Sequence, residues 1–217
     1  MKTKRVFVCI FIILFIFSLS GCGKTWFMSF TNGTSIADWH IDDWGGSYIH
    51  DNIGLRIDYL GFISPFAFTG DFTLTVVFTL DTAPDRTVDF EIGLYDDISV
   101  PLSNNIINNH FNNAGNIAFE YIGVSELGPS IDPDWNYTIT QSAEIPGLNR
   151  SGRNTYKLVK KGDDISITIN NTAIANFTMG YYESSNFAIL LGADASNDGV
   201  VFFETIKVNY TGDLIPI

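Results

Sequence analysis

The sequence predicts an all-β fold, an antiparallel two-sheet β-sandwich, from three observations. Apolar and polar residues alternate with a period of two over much of the chain, as in strands that bury one face. Turn-forming Gly, Asn and Asp residues separate these segments, and no segment has the period of an amphipathic helix. Many short strands with few helices are typical of two facing sheets or of a barrel.

The expected strands follow one another along the chain. The first apolar stretch covers residues 26–30. Alternating segments then cover residues 72–80, 88–94, 156–160, 165–169 and 200–210. Residues 187–191 are continuously apolar, which favours a central strand covered on both faces.

The segments between the strands contain typical turn residues. Lys161-Gly162-Asp163 is expected to join two strands, and Asn170-Asn171 the next two, since Asn tolerates the positive φ of a tight hairpin turn. Residues 37–46, 96–113 and 125–135 are rich in Asn, Asp, Gly and Pro. We expect these three segments to be loops.

The N-terminus has the pattern of a secretory signal peptide. Three basic residues precede an apolar run over residues 6–17, which is too short to span about 30 Å of hydrocarbon as a helix. Residues 19–22, Leu-Ser-Gly-Cys, resemble the lipobox of bacterial lipoproteins. The resemblance implies cleavage before Cys22, which would carry diacylglycerol and a fatty acid such as palmitate.

The lipobox resemblance also implies a location and a domain organisation. We expect a signal peptide over residues 1–21, a lipidated cysteine and short tether over 22–25, and a single β-sandwich domain over 26–217. The partner of the lipid would be a bacterial membrane, with the domain outside the cytoplasm. Gly23, rather than Asp, follows the cysteine, which implies the outer membrane or cell surface in a cell with two membranes.

Charge and cysteine content exclude several classes of function. The 217-residue chain has a formal net charge of −12, and removal of Lys2, Lys4 and Arg5 with the signal leaves −15. Such a charge disfavours nucleic acid as a partner. Only Cys9 and Cys22 are present, so we expect neither a disulfide nor a thiolate metal site. The sequence leaves the oligomeric state open.

Four segments resemble concanavalin A-like lectin and glucanase domains. Residues 154–178 and 187–210 are similar to the C-terminal half of these domains, with the polar hairpin at 161–163 and the Asn turn at 170–174. Residues 70–81 resemble an early strand of the family, and residues 30–41 its opening. The resemblance implies a concanavalin A-like jelly roll, and it concerns fold more than activity.

Two carboxylates are catalytic candidates. Asp89 and Glu91 stand two residues apart on an expected strand, about 6.5–7 Å from each other on one face, and glycoside hydrolysis uses a pair of carboxylates. Compared with the glucanase motif, Thr87 takes the position of the nucleophilic glutamate, which disfavours that reaction. The alternative is a solvated polar face of a strand.

Two clusters have the residue types that bind sugars, namely flat aromatic rings beside hydrogen-bonding groups. The candidate ligand-binding residues are Trp39, His40, Asp42, Trp44, Trp135 and Tyr137. The alternative for Trp39 is that it fills the edge of the sandwich.

Residues 194–199 have the oxygen spacing with which a calcium-binding loop begins. Asp194, Ser196 and Asp198 would be the ligands, although Thr205 stands where such loops carry a glutamate. The alternative to a structural calcium ion is an Asx-rich hairpin turn, with no cofactor.

Three classes of function remain open. The first is a non-catalytic carbohydrate-binding module, the second a structural or adhesive surface lipoprotein without a glycan site, and the third a glycoside hydrolase or lyase. We expect the first, with a glycan as the ligand.

Overall fold

The computed structural model describes residues 23–81, 89–95, 106–112, 117–121, 138–142, 147–149, 151–178, 187–194 and 200–216. These residues form fourteen β-strands and one 3-10 helix, Phe30–Asn32. They contain no helix with the length and hydropathy needed to cross a membrane.

The strands are numbered in chain order. Their bounds are β1 Lys24–Ser29, β2 His40–His50, β3 Leu55–Phe68, β4 Phe72–Asp81, β5 Asp89–Tyr95, β6 Ile106–Asn112, β7 Ile117–Tyr121, β8 Thr138–Ser142, β9 Arg153–Lys161, β10 Asp164–Ile169, β11 Thr172–Thr178, β12 Phe187–Asp194, β13 Val200–Tyr210 and β14 Leu214–Pro216.

All strand pairs are antiparallel and form one continuous path, β11-β10-β9-β4-β13-β3-β12-β5-β6-β7-β8. We call β11, β10, β9, β4, β13 and the attached β1 the back layer, and β3, β12, β5, β6, β7, β8 with the attached β2 and β14 the front layer. The layers meet at a short junction of β13 with β3, where Phe202 pairs with Arg56 and Phe203 with Leu55.

Aromatic contacts show that the two layers face each other. The ring centroids of Phe78 on β4 and Phe90 on β5 are 4.9 Å apart, although four strand spacings, about 19 Å, separate these strands along the sheet. Phe72 on β4 and Phe187 on β12 are likewise 5.9 Å apart. The predicted two-sheet antiparallel sandwich is therefore confirmed, with one core between the layers.

Alternating burial in the back layer follows the predicted pattern. On β4 every second residue from Phe72 to Leu80 is buried and the threonines between them are partly exposed. β9, β10 and β13 show similar alternation. Asn170 and Asn171 have φ of 49° and 66°, so the predicted hairpin turn is confirmed.

Two segments predicted as loops contain strands. Residues 40–46 belong to β2 and residues 106–112 form β6. Their Gly, Asp and Asn content lowers intrinsic strand propensity, but pairing with β3 and β5 decides the local structure. The first strand also begins at Lys24, two residues before the expected start of the domain.

A bulge between β2 and β3 changes which residues of β3 face the core. Tyr59 has a φ of 57°, which is unusual for a residue with a bulky side chain, and the pairing of the strands shifts between Asp43 and Ser47. A Cβ atom on Gly46 would collide with the backbone carbonyl oxygens of Asp58 and Tyr59. The core-facing residues of β3 consequently change from odd to even numbers at this point: Leu55, Ile57, Leu60 and Phe62.

A buried amide fastens one end of the back layer. Asn154 is 1% exposed, and its Oδ1 accepts hydrogen bonds from the Asn149 backbone N at 2.7 Å and from Asn170 Nδ2 at 2.9 Å. Its Nδ2 donates to the carbonyl oxygens of Asn149 and Gly152. One side chain thereby connects β9, the chain before it and the hairpin turn of β10 and β11.

We expect Asn154→Ala to lower the free energy of unfolding by about 2–4 kcal/mol, because several buried polar partners lose their hydrogen bonds. Asn176→Ala, at an exposed position on β11, should stay within about 0.5 kcal/mol of the wild type. Urea unfolding of both variants measures the difference. An equal effect of the two substitutions would contradict a structural role for Asn154.

Candidate functional site

The positions of the two carboxylate candidates belong to the outer face of the front layer. On β5, Phe90 and Ile92 are fully buried in the core. Because neighbouring residues of a strand belong to opposite faces, Asp89 and Glu91 occupy positions on the face away from the core. The strand lies between β12 and β6, so this face is inside the sheet and not at its edge.

Pairing of the strands places Glu91 in a row that crosses the front layer. Glu91 is opposite Gly192 of β12 and His110 of β6. The row continues in both directions through directly paired positions, and residues directly opposite each other in a sheet share a face. We call this the cross-strand row: Asp42, Gly61, Gly192, Glu91, His110 and Glu120.

The middle of the cross-strand row has no side chains. Gly61 and Gly192 are paired neighbours on β3 and β12, and both are buried. Gly93, two residues beyond Glu91, is also buried and pairs with Leu190. A glycine pair in the centre of a sheet lets another molecule or chain approach the backbone closely.

Apolar residues beside the glycines are buried outside the core. Ala188 is 0%, Leu190 1% and Ile63 4% exposed, yet none belongs to the core cluster between the layers. Ile63 pairs with Leu190 on the same side of the sheet as Gly61 and Gly192. The outer face of the front layer is therefore apolar and enclosed beside Gly61 and Gly192. The register places acidic and histidine positions on β5 and along the row beyond it.

The strands of the two layers carry opposite net charge. The front-layer strands contain one basic residue, Arg56, and seven acidic residues, which are Asp42, Asp43, Asp58, Asp89, Glu91, Glu120 and Asp194. The back-layer strands contain six basic and three acidic residues, which are Lys24, Arg153, Lys157, Lys160, Lys161 and Lys207 against Asp81, Asp164 and Glu204.

Trp39 is a core residue and not a stacking platform. It is 6% exposed, its indole Nε1 lies 3.2 Å from Met28 Sδ, and its ring meets Phe30 edge-on with centroids 5.7 Å apart. The alternative stated for Trp39, that it fills the edge of the sandwich, agrees with this burial. His40 is exposed at the start of β2, opposite Ile63.

The other predicted site residues have different positions. Asp42 lies in the cross-strand row, and Trp44 lies in the bulge of β2. Asp194 is the last residue of β12. Four of the predicted site residues lie outside the described residues: Trp135, Tyr137, Ser196 and Asp198. Thr87, which was compared with the glucanase nucleophile, also lies outside them. Cys22 lies outside them as well. No group of three or more potential metal-ligating side chains is found in the described part of the chain.

Sequence reasoning missed Gly61, Gly192 and Glu120 as members of the candidate site. They come from three strands that are distant in sequence, and long-range pairing alone brings them into one row with Glu91. The available signal was weak: Gly61 and Gly192 each interrupt an apolar strand, a position that often marks a close approach of another backbone or a ligand.

Comparisons with known proteins support the fold. No protein-family model matches the chain, and no curated protein matches its sequence. Among solved structures, the CBM2 module of the Lactobacillus casei BL23 phage J-1 evolved Dit has a TM-score of 0.60 at 9% identity, covering 90% of this chain and 98% of its own.

Two further structures are similar to a comparable degree. A Crh5 transglycosylase in complex with NAG has a TM-score of 0.57 at 12% identity, with 88% of this chain and 86% of the other covered. The carbohydrate recognition domain of Emp46p in its potassium-bound form has a TM-score of 0.54 at 12% identity, with 82% and 90% covered. The chain is thus an all-β jelly roll of the galectin and concanavalin A-like type.

We expect Trp39→Ala to lower the free energy of unfolding by about 3–5 kcal/mol, because it empties a buried aromatic site. The neighbouring substitution His40→Ala, at an exposed position, should change it by less than about 0.5 kcal/mol. Thermal or urea unfolding of the pair checks this contrast. A stability of Trp39→Ala equal to that of His40→Ala would contradict the assignment of Trp39 to the core.

Proposed function

We propose that this protein is a lipid-anchored, extracytoplasmic carbohydrate-binding protein whose glycan site is the cross-strand row of the front layer. The observation that carries the proposal is the row itself, in which two paired glycines are flanked by acidic positions and a histidine position on one face. The distant structural similarity to a carbohydrate-binding module and a carbohydrate recognition domain supports it.

The residue types in the row match the chemistry of sugar recognition. Carboxylates accept hydrogen bonds from hydroxyl groups, and an imidazole both donates and accepts. Gly61 and Gly192 place no side chain between the positions of Asp42 and Glu91. Trp44, in the bulge next to Asp42, is the proposed aromatic contact, and Trp135 and Tyr137 remain further proposed contacts.

The charge of the front layer narrows the class of glycan. Three acidic positions in the row and four more on the same layer repel uronic acids, sulfated sugars and phosphate-containing polymers. They favour neutral sugars and sugars with a free amino group. The proposed ligand is therefore a neutral or amino-sugar polysaccharide.

Lipid attachment would hold this site at a membrane surface. The proposal rests on the signal-peptide pattern and on Cys22, which lies two residues before β1. The triacylated cysteine of a lipoprotein has more than the two chains that stable anchoring requires. The proposed location is the bacterial cell envelope, outside the cytoplasm.

Glycoside hydrolysis or transglycosylation is the second candidate function. The observation that favours it is the placement of Asp89 and Glu91 on one face, with Glu120 two strand spacings, about 10 Å, from Glu91. The similarity to a Crh5 transglycosylase points the same way. Thr87 at the position of the family's nucleophile argues against it.

Glu91→Gln should weaken binding to a responsive glycan by about 10–100-fold, because it removes the charge from an acceptor of hydrogen bonds. Glycan-array screening of the wild type identifies the ligand, and titration calorimetry measures the affinity of each variant. Asp81→Asn, an exposed carboxylate of the back layer, is the matched control and should bind like the wild type.

A different pattern would overturn this proposal. Equal losses of glycan affinity in Glu91→Gln and Asp81→Asn would show that the cross-strand row does not bind the glycan. Absence of binding to any glycan on a broad array would favour the structural or adhesive alternative. Release of reducing sugar by the wild type, abolished in Glu91→Gln, would replace binding by catalysis.

Cys22→Ser should abolish metabolic labelling with palmitate and release the protein from the membrane fraction. The reason is that the thioether to diacylglycerol requires the thiol. Cys9→Ser is the control, because Cys9 leaves with the signal peptide, and labelling should persist. Equal labelling of both variants would place the lipid elsewhere or exclude it.

A further inference from the structure

The outer face of the back layer contains a basic and aromatic row close to the proposed anchor. Phe27 of β1 is 59% exposed and pairs with Lys207 of β13. The row continues from Lys207 to Thr75 of β4, and from Thr75 to Lys157 of β9. Both lysines are exposed. We call these four residues the basic row.

The lysines of the basic row are free of ion pairs within the described part of the chain. The ion pairs found there join Lys24 to Asp213 and Arg153 to Glu204. Glu204 is the one carboxylate of β13, and its Oε2 lies 2.9 Å from Arg153 Nε. The neighbouring row consists of Thr25, Asn209, Thr73 and Val159. The centre of this face is therefore positive in a chain whose net charge is −12.

The proposed lipid lies beside this face. Two residue steps separate Cys22 from Lys24, so their Cα atoms are at most about 7 Å apart. Lys24 is fixed in place, because its Nζ donates to the Gly212 carbonyl oxygen at 2.9 Å and to Asp213 Oδ1 at 3.1 Å. Phe27 follows three residues later, about 10 Å along β1.

We propose that the outer face of the back layer lies against the lipid surface, with Phe27 at the headgroup boundary and Lys157 and Lys207 over anionic headgroups. This orientation rests on the proposed lipid anchor. An exposed aromatic beside lysines is the pattern of surfaces that bind the membrane interface. Electrostatic attraction acts over a Debye length of about 8 Å at physiological ionic strength. The short tether would hold the lysines of the basic row close enough to the headgroups for this attraction to act.

The charge of the other layer favours the same orientation. The front-layer strands contain seven acidic residues and one arginine, so an anionic leaflet repels them. With the back layer down, the cross-strand row faces away from the membrane, toward ligands in the surroundings. The fold would thus use one sheet for attachment and the other for recognition.

Single cysteines with an attached fluorophore test the orientation in the lipidated full-length protein. In the mature chain the sulfur of Cys22 would be blocked by the thioether to diacylglycerol, so an introduced cysteine is the unique labelling site. Thr75→Cys reports on the basic row. Ile49→Cys, 52% exposed and paired with Arg56 on the outer side of β2, reports on the front layer.

The labelled proteins are incorporated into vesicles of phosphatidylethanolamine and phosphatidylglycerol that contain a headgroup-region nitroxide lipid. We expect the Thr75→Cys label to be quenched several-fold more than the Ile49→Cys label. Adding Lys157→Glu to Thr75→Cys should lower this quenching, whereas adding the matched charge reversal Arg56→Glu should not.

The outcomes separate the orientation from the anchor. Equal quenching of the two labels, or stronger quenching at residue 49, in protein that floats with the vesicles would overturn the orientation and leave the anchor standing. Protein that carries no lipid and does not float with the vesicles would overturn both.

Discussion

Packing of aromatic rings between the two layers is the constraint on which the rest of the structure depends. Phe78 and Phe90 meet in the core with ring centroids 4.9 Å apart, and this contact requires a continuous sheet to fold over on itself. Once Phe90 and Ile92 are buried, the period of two along β5 assigns Asp89 and Glu91 to the outside. A shift by one residue would bury both acidic residues and lose the core contact, so the register is strongly determined.

The two outer faces left by this packing differ in chemistry. The front layer has glycines and acidic positions, and the back layer has threonines with unpaired lysines within the described residues. Such a fold supports many functions, and the surface of each sheet determines what it contacts. The proposed division into one face for the membrane and one for a glycan rests on these charges and on the proposed lipid at Cys22, two residues before β1.

Local patterns predicted much of the fold and little of the candidate site. Alternation was sufficient for β4 and β10, and the Asn170-Asn171 turn followed from the tolerance of Asn for positive φ. The strand β6 was missed, because its Asn residues are poor strand formers and pairing with β5 outweighs that tendency. The positive φ of Tyr59 has no local signal, yet it decides that Gly61 belongs to the outer face. The cross-strand row needs pairings between residues more than a hundred positions apart in sequence, such as Gly61 with Gly192 and Glu91 with Gly192. Periodicity within one segment contains no information on such pairings.

The register of β5 against β12 is the central claim, and cysteine cross-linking measures it most directly. Paired positions in an antiparallel sheet have Cα separations that a disulfide can span. With the proposed thioether at Cys22, the mature chain would offer no competing thiol. The account predicts that Glu91→Cys combined with Gly192→Cys forms a disulfide under mild oxidation, whereas Phe90→Cys combined with Gly192→Cys does not. A disulfide in the second pair, or in neither, would contradict the register and with it the assignment of Glu91 to the outer face.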